Sequence, residues 1–237
     1  MKPFVLASST LVLQAPSAAD VPAIVDACRD ETLQRFTTVP VPYARSDAEF
    51  FLSRIVDDGW ATGREFTWAL RRPGSGLLEG VISVRLRSSD VGFWTAPASR
   101  GRGLMTEALG LVADWAFGDG RLRELFWEGY VGNDASAAVA RRVGFTYQGV
   151  GPGLHPDRDG GHPLCWKARL RPGDERTARA GWPDLGHRDG HRDGHRDGSP
   201  EYRDGRGVDP VDDRVPRAPS SPTPRAPARD RSLPEAL

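Results

Sequence analysis

The sequence predicts an α+β domain: a mixed, mostly antiparallel sheet flanked by helices, followed by a disordered C-terminal tail. Three observations predict it. Between Glu65 and Thr95, apolar residues recur in three short segments separated by turn residues, as in consecutive antiparallel strands. From Leu104 the apolar period becomes helical, and strands then alternate with helices. Past Leu170 the apolar content collapses.

The elements follow in order. Lys2, the apolar stretch 4–13 and the small residues 15–19 have the outline of a secretory signal. Ser8, Ser9 and Thr10 break that stretch, however, and Leu11 and Leu13 alternate with Val12 and Gln14 as a strand does. Ser17 and Asp20 offer N-caps to a helix carrying Val21, Ile24, Val25 and Cys28. Ser46 and Glu49 have capping-box spacing and predict a helix through Phe50, Phe51, Ile55 and Val56, ending near Gly59. Strands are expected over 65–70, 77–86 and 91–95, with Pro73-Gly74-Ser75-Gly76 and Ser88-Ser89-Asp90 as the turns. Met105, Ala108, Leu109, Val112, Trp115 and Ala116 share one helical face, which stops at Gly118 and Gly120. A strand over 122–131 precedes a helix capped by Asn133 or Asp134 and ended by Gly144. Strands over 145–150 and 164–170 close the domain.

Composition sets the boundary. Of the 20 aromatic residues, only Trp182 and Tyr202 lie beyond Leu170. The last 67 residues hold 10 Pro and 8 Gly against 6 residues of Leu, Ile, Val and Phe, too little apolar surface to offset chain entropy. The expected organisation is one domain over residues 8–170 and a disordered tail over 171–237, which excludes a two-domain enzyme. Basic and acidic side chains balance at 32 each, so the chain lacks the basic body of a general nucleic-acid binder. No apolar run reaches the roughly 18 residues of a membrane span, so the expected setting is the cytoplasm. Cys28 and Cys165 supply neither a disulfide framework nor a zinc ligand set. In the tail, Gly-His-Arg-Asp recurs with His187, His191 and His195 every four residues. A glycine in each repeat opposes helical ligand spacing, so a solvated low-complexity linker is favoured over a metal tract, and no metal is expected.

The stretch that carries chemistry is Arg100-Gly101-Arg102-Gly103-Leu104-Met105, which leaves a strand and opens a helix. Two glycines let successive amide N–H groups point one way, and the helix behind adds free N–H groups and the positive end of its dipole. Such a loop cradles a pyrophosphate, with Arg100 and Arg102 adding charge-assisted contacts. The same residues also suit an ordinary strand-to-helix turn with solvated arginines. The Gly-Lys-Ser/Thr ending of a nucleotide-hydrolase loop is missing.

Three pieces together resemble the GNAT superfamily of acetyl-CoA-dependent N-acetyltransferases, and within it the RimJ/RimL branch, which acetylates protein N-termini. Residues 91–97, Val-Gly-Phe-Trp-Thr-Ala-Pro, resemble the family's fourth strand and its exit. Residues 100–105 fit its Arg/Gln-x-x-Gly-x-Gly/Ala loop, with Met105 in the place of the last Gly or Ala. Asn133-Asp134-Ala135-Ser136, then Val143-Gly144-Phe145, resemble the branch's Asn-x-x-Ser helix and the Gly-Phe that follows.

The resemblance implies acetyl-CoA as acetyl donor, bound by Phe93, Trp94 and Thr95 of the strand, by residues 100–105 of the loop, and by Asn133 and Ser136. It implies that Ser136 supports the leaving thiolate, since Ala140 stands where many members have a tyrosine. A backbone N–H near Trp94 or Thr95 would receive the carbonyl oxygen. An amine must lose a proton to attack, and two residues are candidate bases: Glu128, and His155, which belongs to the residue type that most readily exchanges protons near neutral pH. The implied partner is an amine: a protein N-terminus, or alternatively a small molecule such as an antibiotic or amino acid. A non-catalytic acyl-CoA-binding module is the third possibility. Residues 29–45 and 151–163 are expected to select the acceptor, in a monomer or homodimer.

Overall fold

The computed structural model describes residues 2–186. Eight strands form one sheet in the order β1-β2-β3-β4-β5-β6-β8-β7. These are β1 (Leu6–Ala7), β2 (Val12–Gln14), β3 (Glu65–Arg71), β4 (Gly80–Arg85), β5 (Asp90–Thr95), β6 (Leu125–Tyr130), β7 (Thr146–Pro152) and β8 (Leu164–Leu170). Every neighbouring pair is antiparallel except β5 and β6, which are parallel. The connection between those two is α5 (Leu104–Phe117), the crossover that a parallel pair requires. The mixed α+β sheet flanked by helices is as the sequence predicts.

Helices α1 (Val21–Cys28), α2 (Glu31–Phe36), α3 (Arg45–Phe50) and α4 (Asp58–Thr62) precede β3. The cap of α3 lies earlier than the Ser46 spacing suggests: the Asp47 carboxylate accepts the Ala44 N–H at 2.7 Å. Helix α3 continues through π-helical turns at Phe51–Asp57 into α4 and stops at Gly63, whose φ is +66°. Gly59 therefore does not end the helix. It lets the helix approach β3, since a Cβ there would lie 2.6 Å from the Glu65 carbonyl oxygen. Asp20, buried ahead of α1, pairs with Arg71 of β3 at 2.5 Å and so fixes α1 to the sheet.

The core is aromatic on one face of the sheet. Trp115 of α5 meets Phe66 and Trp68 of β3 at ring distances of 5.3 Å, and Phe4 and Trp60 complete the cluster. Phe4 and β1 extend the domain upstream of residue 8. Downstream, residues 171–186, which composition places in the tail, lie against the domain. Trp182 and Leu185 pack on the core, and Trp182 donates its indole N–H to the Phe145 carbonyl at 3.2 Å. Two apolar side chains in the right place hold a segment that average composition assigns to solvent. The Gly-His-Arg-Asp repeats lie outside the described residues.

Candidate active site

The parallel pair β5–β6 matches at only two positions, Asp90 with Phe126 and Val91 with Trp127. Beyond Val91 the strands part, although β5 stays paired with β4 as far as Thr95. Phe93, Trp94 and Thr95 thus border a gap whose other wall is the end of β6. Side-chain alternation gives the gap two faces. Asp90, Gly92, Trp94, Glu128 and Tyr130 share one; Val91, Phe93, Thr95, Trp127 and Gly129 share the other.

The chain leaves β5 through a 3₁₀ turn at Pro97–Ser99 and reaches α5 through Gly101 and Gly103, with φ of +74° and +76°. Both occupy the left-handed region that glycine adopts without a Cβ penalty. The first bond of the helix runs from the Glu107 N–H to the Gly103 carbonyl, so the N–H groups of Leu104, Met105 and Thr106 precede the helical ladder. This set of amides at a helix start suits a phosphate. Met105 is buried beneath the loop, its methyl 3.3 Å from where a Gly80 Cβ would stand, so its side chain packs and its amide stays at the loop. Arg102 is exposed, whereas Arg100 turns aside to pair with Asp30 at 2.5 Å. That bond holds the Asp30 carboxyl below the usual carboxylate range.

The loop is anchored by a residue that sequence reading missed. Glu79, 2% exposed, accepts the Ser99 hydroxyl and the Arg72 guanidinium, the latter at 2.6 Å, while its carbonyl takes the Ala96 N–H at 2.9 Å. Burial works to raise its pKa, but the Ser99 and Arg72 bonds outweigh it and keep the group ionised. From the other side, Ser8 and Thr10 both donate to Glu107 in the first turns of α5. No local pattern marks these links, because the partners are far apart in sequence.

Helix α6 (Asp134–Arg142) starts at the far wall of the gap. Asn133 is its N-cap and accepts the Ser136 N–H at 3.3 Å. The Ser136 hydroxyl oxygen receives the indole N–H of Trp127, on β6, at 3.2 Å. With one lone pair engaged, the hydroxyl hydrogen is left to donate elsewhere. Trp127 is a second residue with no signature in the sequence.

The two candidate bases lie with the opposite face. His155 Nε2 stands 3.4 Å from Asp90 Oδ2. Asp90 is 3% exposed at its side chain; burial opposes its charge, yet bonds from Arg85 and Ser88 and the nearby His155 hold its pKa down. A neutral His155 that donates Nε2–H to this carboxylate keeps Nδ1 as the basic nitrogen. Glu128 instead accepts the Leu154 N–H on both oxygens, at 2.8 and 3.0 Å, and faces Lys167 at 3.4 Å. The loop 153–163 is tied across to α2 and the segment after it by Arg158, which donates to the carbonyls of Gln34 and Val39 at 2.7 and 3.0 Å. Between them is a cavity of about 170 Å³ lined by Arg35, Thr37, Tyr130, Asp157, Arg158 and Asp159. The Tyr130 hydroxyl is buried with no protein partner among the described residues. The two cysteines are buried free thiols, each raised to about 11 by burial, and are poor nucleophiles at neutral pH.

Residues 10–146 match the family model described as Acetyltransferase (GNAT) domain. A Bacillus subtilis (strain 168) protein named as a ribosomal N-acetyltransferase, YdaF, is 33% identical over 79 residues. The match covers 31% of this chain and 43% of that protein, so the chain spans less than half the length of this curated relative. Among solved structures, a Vibrio cholerae protein described as a ribosomal-protein-serine acetyltransferase superposes with a TM-score of 0.65 at 20% identity, covering 73% of this chain and 100% of that one. Mycobacterium smegmatis RimJ, solved with CoA-disulfide, gives a TM-score of 0.59 at 18% identity, covering 72% and 86%. At these identities the structural likeness speaks for the fold.

Proposed function

This chain belongs to the GNAT acetyltransferase family, and we propose that it transfers the acetyl group of acetyl-CoA to a primary amine, the acceptor being a protein N-terminus. The observation that carries the reading is the parting of β5 and β6 after Val91, directly before the left-handed glycines and the amides that precede the helical ladder of α5. Bound acetyl-CoA supplies an activated thioester. The chain's own residues do the rest. The amides of residues 101–106 and the Arg102 guanidinium hold the pyrophosphate, and Asn133 meets the pantetheine arm. A backbone N–H of β5 near Trp94 or Thr95 receives the thioester oxygen as charge gathers on it.

The amine arrives on the Asp90 face. His155 Nδ1 takes its proton as the nitrogen bonds to the carbonyl carbon; Asp90 holds the ring and stabilises the imidazolium. As the carbon–sulfur bond breaks, the Ser136 hydroxyl donates a hydrogen bond to the leaving thiolate, which takes a proton from solvent and departs as the thiol, while the His155 imidazolium returns the amine's proton to solvent. Glu128, bonded to the Leu154 amide, positions the loop that carries His155.

A protein N-terminus is favoured by the relatives, named for ribosomal acetylation. The reaction then belongs in the cytoplasm, where acetyl-CoA meets new ribosomal proteins. The roughly 170 Å³ cavity lined in part by Tyr130, whose hydroxyl has no partner among the described residues, favours a second reading, a small amine as acceptor. Thiol release from acetyl-CoA, assayed with ribosomal-protein N-terminal peptides and a panel of small amines, separates the two. Calorimetry with millimolar acetyl-CoA tests the premise of both: absence of binding leaves a non-catalytic module.

A further inference from the structure

We propose that residues 175–186 form a strap that positions Ser136 through two tryptophans, Trp182 on the strap and Trp127 on β6. The inference rests on the reading of Ser136 as donor to the leaving thiolate. The strap crosses the end of α6 so closely that a Cβ on Gly144 would lie 2.2 Å from the Glu175 carbonyl oxygen, and Gly144 has a φ of +94°. Arg176 reaches Asp114 at 3.0 Å, Arg179 donates to the Gly144 carbonyl at 3.1 Å, and Trp182 donates to the Phe145 carbonyl at 3.2 Å. The strap then runs toward the start of α6: a Cβ on Gly186 would come within 3.4 Å of Asp134 Oδ2. It therefore passes alongside the helix that carries Ser136.

The contact that matters is between rings. Trp182 lies 5.6 Å from Trp127 and 5.4 Å from Tyr147, centroid to centroid. Trp127 is packed against the bare Cα of Gly129, where a Cβ would be 2.7 Å from its ring. The Trp127 indole is thus bounded by Gly129 and by Trp182, and its N–H is aimed at Ser136 Oγ. Trp182 sets where that N–H points. The N–H in turn decides which lone pair of Ser136 is occupied and where its hydroxyl hydrogen can go. Trp127 and Trp182 are positioning residues; neither needs to touch the reacting atoms.

The test uses the full chain. In ¹H–¹⁵N spectra, Ser136→Ala identifies the Trp127 indole N–H cross-peak by moving it. Trp182→Phe, which keeps a ring but loses its hydrogen bond, and Trp182→Ala are expected to move the same peak. Turnover is measured by thiol release from acetyl-CoA with a peptide bearing a free N-terminal serine. Trp182→Ala is expected to lower kcat about 3- to 10-fold with acetyl-CoA affinity within twofold, and to have no further effect on Ser136→Ala. An unmoved Trp127 peak, or equal losses in both backgrounds, overturns the strap's role. If Trp182→Ala does not fold, Trp182→Phe and Arg179→Ala carry the same cycle. Unchanged turnover in Ser136→Ala alone overturns the reading of Ser136 itself, a result the cycle keeps separate.

Discussion

The Leu154 N–H donates to both carboxylate oxygens of Glu128, at 2.8 and 3.0 Å, one residue before His155. A carboxylate so engaged anchors a loop; the imidazole beside it, held against the buried Asp90, keeps a nitrogen to spare. Under the proposed mechanism, this relationship makes Glu128 the support and His155 the base.

Glu128→Gln should keep an oxygen for the Leu154 amide and leave kcat within about threefold. His155→Ala should lower kcat by roughly 10²-fold or more and abolish the acidic limb of the pH–rate profile. Profiles of kcat/KM for the two variants against the parent chain check this. The reverse ranking would assign the proton to Glu128.

The loop glycines should be intolerant of side chains although space is open around them. A Cβ at Gly101 or Gly103 would meet nothing within 4 Å, so the cost is conformational, about 1–2 kcal/mol for an L residue at these φ values. Gly103→Ala should weaken acetyl-CoA binding by about 5- to 30-fold. Arg102→Glu should weaken CoA much more than pantetheine, which lacks the phosphates. Calorimetry with the two ligands reads both effects.

Asp90, Asp30 and Glu79 all have carboxyl pKa values below their unfolded ones. The stability they contribute is complete above the unfolded carboxylate pKa, near 4, and is lost as pH falls through the depressed values. The melting temperature should therefore drop steeply below about pH 4. Asp90→Asn should lower it at pH 7 and flatten the acid slope. Scanning calorimetry between about pH 3 and 7 reads the change, and a parallel slope in the variant would count against Asp90 as a contributor.

A chain ending at Gly186 should melt like the full chain, whereas one ending at Leu170 should lose about 2–3 kcal/mol from the burial of Trp182 and Leu185 alone. For a domain of this size that is a fall of about 5–10 °C. Equal melting of the two would show that the strap adds no stability.

The strands and helices could be read in the sequence because each carries its own period: Met105 to Ala116 every third or fourth residue, Leu11 and Leu13 alternately. The glycine turn before α5 and the Asn133–Ser136 cap were legible for a related reason, being local patterns of residue type. The supports were not. Glu79 meets Ser99 at a distance of 20 residues, Asp20 meets Arg71 at 51, and Arg100 meets Asp30 at 70. Such pairings exist only once the sheet has ordered its strands. Trp182 was hidden differently: one aromatic in a Pro- and Gly-rich run vanishes into the average, although a single well-placed indole suffices to hold a strap.

The two matched positions between β5 and β6 also bear on how the chain finds its fold. On either side of that seam the strands are chiefly hairpin neighbours: β3, β4 and β5 in one half, and β7 with β8 in the other. Local pairings close early, because short loops cost little entropy, and a parallel seam joined through a helix closes late. The seam should accordingly exchange its amide protons sooner than the centres of β4 and β8. A seam where two long strands are sewn together at only two positions is also where the sheet has room to work.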